Sequence, residues 1–233
     1  MREKKLTNGI FSQQEQIKTH TYKEQAYELI KDAILYQKFR LDTVYSQEEL
    51  CGQLGISRTP VREALLELQK EGYVRFCRGK GIQIVAVDEK SIRDILEMRF
   101  YQESVAAELA ARRADQTDLD NIVKCLEDGQ RNLDSQVRDI IQWYRLDHQF
   151  HRAVARATHN EILYRTIDDV LNHYLRFEVL TVYQSSSSAS AIWNEHKALY
   201  SAIQQRDPVR AHDAAQKHLH DAYLRTLGRY WSE

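Results

Sequence analysis

The chain has 233 residues, of which 42% are hydrophobic and 29% charged, and its net charge is −1. This composition is typical of a folded globular protein and excludes a wholly disordered one. The sequence contains no run of about 18 apolar residues, so no membrane span is expected. The three cysteines, Cys51, Cys77 and Cys125, fit neither a metal finger nor a disulfide framework, which favours the reducing cytoplasm.

Charge is distributed unevenly along the chain. Residues 1–87 carry 14 Lys and Arg against 11 Asp and Glu, whereas the remainder carries 19 against 23, so the two balances are +3 and −4. The N-terminal part therefore favours an anionic partner. Residues 1–21 are charged but have no apolar stretch behind them, which predicts a flexible arm rather than a secretory signal.

Three helices are predicted after the arm. Apolar residues recur at helical spacing from Tyr22 to Phe39. A short helix over Gln47–Leu54 has Ser46 as its N-cap, Glu49 as its capping-box partner and Gly55 as its stop.

A third helix is expected to start with Thr59 as N-cap and Pro60 at its first position. Its apolar stripe comprises Val61, Ala64, Leu65 and Leu68. Two short strands follow, "YVRFC" and "IQIVAV", joined by a basic "RGKG" turn. This order of elements predicts a winged helix-turn-helix domain over residues 22–87.

Beyond residue 87 the sequence shows helical patterns and no strand signal. Six helices are predicted, at about 88–113, 116–135, 138–158, 160–183, 190–206 and 208–230, with the serine run Ser185–Ser188 separating the fourth from the fifth. The predicted fold class is therefore mainly α, with an all-helical C-terminal bundle over residues 88–233.

The third helix carries the residues expected to read DNA. If the apolar stripe of this helix faces the core, Arg58, Thr59 and Arg62 lie at the exposed N-terminal end of the helix. This is where a recognition helix touches base edges. An arginine there opposes the helix dipole, so helix stability does not explain it, whereas its planar fork fits guanine O6 and N7. The basic hairpin residues are expected to reach phosphates or the minor groove: Arg75, Arg78 and Lys80.

The segment "SRTPVREALLELQKEGYV" resembles the signature of the GntR family of bacterial winged-helix regulators, over about residues 22–87. The resemblance implies double-stranded DNA as partner and a wing that approaches the minor groove. The DNA-contacting residues it implies are Ser57, Arg58, Thr59 and Arg62 on the helix, with Gly81 beside Arg78 and Lys80 on the wing. Many members carry a basic residue in the second helix where this chain has Glu48 and Glu49.

Eight of the nine histidines lie after residue 88. Asp147 and His151 are four residues apart, so they share one helix face. Two further histidines, His196 and His218, lie on later helices that could converge on that face. Three imidazoles and one carboxylate suit Zn, Ni, Co, Mn or Fe as divalent ions.

Residues 92–227 resemble the FCD effector domain of the FadR subfamily, through "DHQFHRAVARATHN" and "EHKALYSAIQQRDPVRAHDAAQKHL" among other segments. In metal-binding members the positions of Asp147, His151, His196 and His218 are the ligands. The six predicted helices suggest the VanR-like branch. By the same resemblance Arg99 binds the carboxylate of a small organic acid effector, while Asn160 is assigned to a helix start.

Three interpretations follow. The first is a cytoplasmic homodimeric regulator, a repressor, whose binding to a palindromic operator is switched by a small acid. The second is a metal-dependent enzyme, because an Asp/His₃ site with open positions can activate water. The third is a structural metal with the effector bound elsewhere, because four protein ligands can close a tetrahedral zinc site.

Overall fold

The computed structural model describes residues 21–36, 38–41, 43–135, 140–181 and 186–230. The arm expected over residues 1–21 lies outside them, except for Thr21. The chain clusters into two compact units: the described residues up to Lys31 with Asp42–Ile84 form the first, and Asp32–Leu41 with the described residues from Val85 onwards form the second. No helix in the described ranges is long and apolar enough to cross a membrane.

The first unit is built around a helix-turn-helix and a small sheet. Its elements are α1 (Tyr22–Leu35, shared with the second unit), β1 (Val44–Tyr45), α2 (Gln47–Leu54), α3 (Arg58–Lys70), β2 (Val74–Cys77) and β3 (Gly81–Ile84). The predicted stripe of α3 is buried, and the hairpin β2–β3 is present as expected. The sheet has a third strand that the sequence did not predict, because β1 pairs antiparallel with β3 in the order β1-β3-β2.

The boundaries of α1 and α2 follow from their end residues. Thr21 and Glu24 cap the start of α1 reciprocally, each side chain accepting from the other's backbone N–H. The helix ends at Leu35 and not at Phe39, because Lys38 N–H donates to Ala33 O at 2.8 Å, the bond that closes a helix end. The predicted bounds of α2 are confirmed.

The predicted start of α3 was wrong. Ser57 and not Thr59 is the extended residue that precedes the helix, and Arg58 is its first residue. Pro60 thus occupies the third helical position, where its missing N–H still costs no hydrogen bond, since the first four N–H groups of a helix have no partner within it. The Ser57 side chain makes no capping hydrogen bond.

The second unit contains six helices among its described residues beyond Val85: α4 (Glu89–Arg113), α5 (Gln116–Asp134), α6 (Ile140–Arg156), α7 (Glu161–Thr181), α8 (Ser186–Gln204) and α9 (Pro208–Tyr230). The all-helical prediction is confirmed. The start of α8 was predicted too late, because Ser186–Ser188 are helical. Ser185 lies outside the described residues. Asn160 caps α7 as assigned, since its Oδ1 accepts from Leu163 N–H at 3.2 Å.

A close contact between α5 and α8 positions the functional helices. The buried Gly129 of α5 faces the indole of Trp193, and a Cβ on Gly129 would lie only 1.7 Å from the ring. Trp193 also donates from Nε1 to Leu126 O at 2.9 Å. Because Trp193 lies one turn before His196, this contact fixes the depth at which His196 enters the bundle.

Candidate metal centre and nucleic-acid interface

Three histidine rings from three helices meet in the interior of the second unit. His151 lies on α6, His196 on α8 and His218 on α9, and one nitrogen of each lies within 4.8 Å of the others. All three side chains are buried, with 4%, 0% and 4% of their surface exposed. Buried polar groups are normally hydrogen-bonded, so each ring nitrogen of this cluster needs a partner.

Asp147 extends this cluster. Its Oδ1 lies 3.5 Å from Nε2 of His196, and its Oδ2 lies 3.8 Å from Nε2 of His151. Asp147 is one turn before His151 on α6, so both project from the same face. The structure therefore brings together all four residues that the sequence predicted as ligands.

Two carboxylates, the buried Glu103 and the part-buried Glu195, orient two of the rings. Nδ1 of His151 donates to Glu103 of α4 at 2.5 Å, and Nδ1 of His218 donates to Glu195 of α8 at 2.7 Å. With the proton on Nδ1, each ring has its Nε2 lone pair available. Carboxylates that hold ligating histidines in this way occur around metal sites and make the imidazole a better ligand.

His196 supplies the test of whether the cluster fits a metal. Neither of its ring nitrogens has a hydrogen-bond partner among the described residues, although the ring is completely buried. Leaving a buried polar group unpaired costs about 1–3 kcal/mol. A divalent cation would accept the nitrogen lone pair, and the neighbouring carboxylate would offset its charge. The donor set of Asp147, His151, His196 and His218 thus fits a divalent transition metal.

Burial favours the neutral form of two of the three rings. Burial, reinforced by the nearby His218 and His151, lowers the pKa of His196 well below its usual value. Burial also lowers the pKa of His218, although the hydrogen bond to Glu195 opposes this. Imidazole binds metal only when neutral, so the lowered pKa of His196 and of His218 favours metal binding.

The orienting carboxylates remain charged. Burial would raise the pKa of Glu103, but the charge of Arg99 and the contact with His151 hold it well below its usual range. Likewise the hydrogen bonds from His218 and Arg225 outweigh burial and lower the pKa of Glu195 to about 2. Both carboxylates therefore act as hydrogen-bond acceptors at neutral pH.

Arg99, the predicted effector residue, lies beside the histidine cluster. Its Nε donates to Glu103 Oε1 at 2.6 Å, and its Nη2 lies 3.4 Å from Nε2 of His151. It borders a cavity of about 20 Å³, room for about one water. The residues lining this cavity are Arg99, Asp147, Tyr174, Ile192, His218, Ala222, Arg225 and Thr226.

Three residues of this site were not predicted from the sequence: Glu103, Glu195 and Arg225. Arg225 donates two parallel hydrogen bonds to Glu195, both of 2.9 Å. The sequence spacing could have indicated two of them. Glu103 follows Arg99 by one helical turn, and Glu195 directly precedes His196. The pairing of Arg225 with Glu195 joins two helices, and no spacing in the sequence reveals it.

Three of the predicted DNA-contacting residues, Arg58 on α3 and Lys80 and Gly81 on the wing, line one cleft of the first unit. The four residues at the start of α3 that the sequence singled out are exposed: Ser57, Arg58, Thr59 and Arg62. On the hairpin, Arg78 and Lys80 are exposed as well. The guanidinium of Arg75 is held within the sheet, where it donates to Gln83 Oε1 at 2.8 and 3.2 Å.

Gly81 has a structural role in the wing. Its φ is 133°, and a Cβ there would lie 2.0 Å from Tyr45 O. Only glycine therefore allows β3 to approach β1 at this point. This contact shapes the wing whether or not Gly81 touches DNA.

Comparison with known proteins identifies both halves of the chain. The family described as the FCD domain matches residues 94–221, more than half of the chain, and the family described as bacterial regulatory proteins, gntR family, matches residues 22–84. The chain belongs to the GntR family. It is a bacterial GntR-type DNA-binding transcriptional regulator with an FCD domain, and not an enzyme.

Similar regulators match most of this GntR chain. It is 26% identical over 198 residues to the uncharacterized HTH-type transcriptional regulator YdhC of Bacillus subtilis (strain 168), covering 85% of this chain and 86% of YdhC. It is 28% identical over 193 residues to the Glc operon transcriptional activator of Escherichia coli (strain K12), covering 75% and 76% of the two chains. The solved structure of E. coli McbR/YncC shares its fold, with a TM-score of 0.79, 19% identity and coverage of 91% and 100%.

Proposed function

We propose that the FCD domain of this regulator binds one divalent transition metal through Asp147, His151, His196 and His218. The observation that carries the proposal is the completely buried His196, whose two nitrogens have no partner among the described residues although two other imidazoles and a carboxylate surround it. Zn, Ni, Mn, Co and Fe all accept this donor set. When bound, the cation supplies positive charge and open coordination positions.

The effector of this regulator is a small organic acid. Its carboxylate meets the cation on one side and Arg99 on the other, with Arg225 bordering the same cavity. Two cationic partners offset the cost of taking a carboxylate out of water. Because the cavity holds about one water, an acid of several carbons selects a conformation in which the cavity is larger.

The winged helix carries the DNA interface. Ser57, Arg58, Thr59 and Arg62 enter the major groove, while Arg78, Lys80 and Gly81 bring the wing to the backbone or the minor groove. The regulator acts as a homodimer on a palindromic operator, since a two-fold symmetric protein matches a two-fold symmetric site. We assign it to the VanR-like branch of the FadR subfamily because six helices form the described bundle.

The regulator works as a repressor in the bacterial cytoplasm. Binding of the acid changes the separation or orientation of the two winged helices of the dimer. Both then no longer fit the two half-sites at once, and the protein leaves its operator. The domains divide this work, with residues 22–87 for DNA and residues 88–233 for sensing and dimerisation.

Thermal unfolding of metal-stripped protein tests the metal and effector claims together. Addition of Zn²⁺, Ni²⁺ or Mn²⁺ is expected to raise the melting temperature of the wild type, because a ligand of the folded state stabilises it. His220→Ala, which removes an exposed histidine two residues after His218, serves as control and keeps the rise. His196→Ala loses it.

The metal-loaded protein is then screened with mono- and dicarboxylates of two to six carbons. A further rise is expected in the wild type and its loss in Arg99→Ala. A metal response that persists in His196→Ala, or an acid response that needs no metal, contradicts the proposal.

A further inference from the structure

A negatively charged side chain lies within the proposed DNA interface. Glu48, in the first turn of α2, places its Oε2 3.2 Å from Nη2 of Arg58, the first residue of α3. Both side chains are largely exposed, at 81% and 70%. They line one cleft together with Lys80 and Gly81 of the wing. The carboxylate is therefore presented on the same surface as the basic residues.

The fold does not need this ion pair. A pair between two such exposed side chains contributes little to the stability of the fold. The start of α2 is already capped, because Ser46 Oγ accepts from Glu49 N–H at 3.0 Å. On a surface that approaches phosphates, a carboxylate opposes binding through repulsion and also neutralises the adjacent Arg58. A residue that adds little to the fold and weakens general DNA binding is well placed to decide which sequence is bound.

We propose that Glu48 is a specificity-determining residue of the DNA interface, and this rests on the proposed contact of Arg58 with a base. In the free protein Glu48 holds the Arg58 guanidinium and keeps it from pairing with any phosphate. At the operator Arg58 binds guanine O6 and N7, while Glu48 accepts a hydrogen bond from the N4 amino group of a cytosine in the neighbouring base pair. A DNA sequence that lacks this cytosine offers the Glu48 carboxylate no hydrogen-bond donor. The carboxylate is then desolvated without compensation, so the protein rejects that sequence.

Two DNA measurements on the full chain test this assignment, with Glu49→Gln as the matched control. Glu49 lies on the same helix turn, so its substitution removes the same charge and the same interaction with the helix dipole. The first measurement is the affinity for a fixed duplex of arbitrary sequence as salt is varied. The second is sequence selection from a randomised duplex library.

For Glu48→Gln we expect affinity for the arbitrary duplex to rise about fivefold at low salt, since one unit charge near another in water is worth about 1 kcal/mol. The salt slope steepens by about 0.9, the value of one phosphate contact, because Arg58 is released. The selected sequences lose one cytosine preference. Glu49→Gln selects the wild-type sequence and leaves the slope unchanged.

Two results overturn the inference, and they are distinguishable. If Arg58→Ala loses a guanine preference while Glu48→Gln selects and binds as Glu49→Gln does, the role of Glu48 is refuted and the proposed DNA contact of Arg58 stands. If Arg58→Ala selects the wild-type sequence, the DNA contact itself is refuted, and the role of Glu48 with it.

Discussion

Replacing His196 by phenylalanine should stabilise the metal-free protein. The imidazole has one donor and one acceptor, neither of them paired among the described residues, at about 1–3 kcal/mol each. A phenyl ring would keep an aromatic neighbour, because the His196 ring is stacked on Phe150 with centroids 4.2 Å apart. Its extra ring atom crowds the core, which costs about 1–3 kcal/mol. Central values of about 4 kcal/mol for the two unpaired groups and about 2 kcal/mol for crowding leave an expected gain of about 2 kcal/mol in the free energy of unfolding.

With metal present, the wild type should have the higher free energy of unfolding and His196→Phe the lower one. The wild type gains about 4 kcal/mol at a free metal concentration a thousand times its dissociation constant, whereas His196→Phe has lost a ligand and gains much less. A single substitution is therefore stabilising in EDTA and destabilising in metal. A site built for packing alone gives no such reversal.

Urea unfolding followed by tryptophan fluorescence measures the free energy of unfolding of both proteins, in EDTA and with metal. Trp143 and Trp193 are buried in the second unit with ring centroids 5.0 Å apart, so they report on the bundle that holds the site. This prediction is refuted if His196→Phe is less stable than the wild type in EDTA by more than about 1 kcal/mol, because even the smallest gain of about 2 kcal/mol against the largest crowding cost of about 3 kcal/mol loses no more than that. It is also refuted if saturating metal leaves the order of the two proteins unchanged.

Three further substitutions give separate tests. Glu103→Gln should weaken metal binding about 10–100-fold in a calorimetric titration, because the acceptor that orients His151 loses its charge. If the variant binds metal as tightly as the wild type, Glu103 is not part of the site. Gly129→Ala should lower the free energy of unfolding by about 1–3 kcal/mol in urea, since the new Cβ meets Trp193, and a more stable variant would mean that helix propensity outweighs the contact. Lys80→Ala should weaken binding to all duplexes alike and reduce the salt slope by about 0.9, whereas a change of sequence preference would indicate a base contact.

Local signals account for the parts of the fold that the sequence predicted well. The bounds of α2 follow from Ser46 at its start and Gly55 at its end, where φ is 67°. The start of α3 was misplaced because Ser57 and Thr59 are both good N-caps and Pro60 is tolerated anywhere in the first turn. The strand β1 has two residues, too few to show a period, and it exists because Gly81 admits it.

The candidate metal centre was predictable only in part. The spacing of Asp147 and His151 places them on one face of one helix, which needs no structure. That His196 and His218 converge with them came from the resemblance to the FCD domain. The orienting roles of Glu103 and Glu195 depend on how helices pack and rotate, because each carboxylate must reach a particular ring nitrogen.

Metal content is the most direct test of the central claim. Protein is saturated with Zn²⁺, passed through a desalting column and measured by elemental analysis. We expect one ion per chain in the wild type and in His220→Ala, and none in His196→Ala. A wild type that retains no ion, or a His196→Ala variant that retains as much as the wild type, would contradict it.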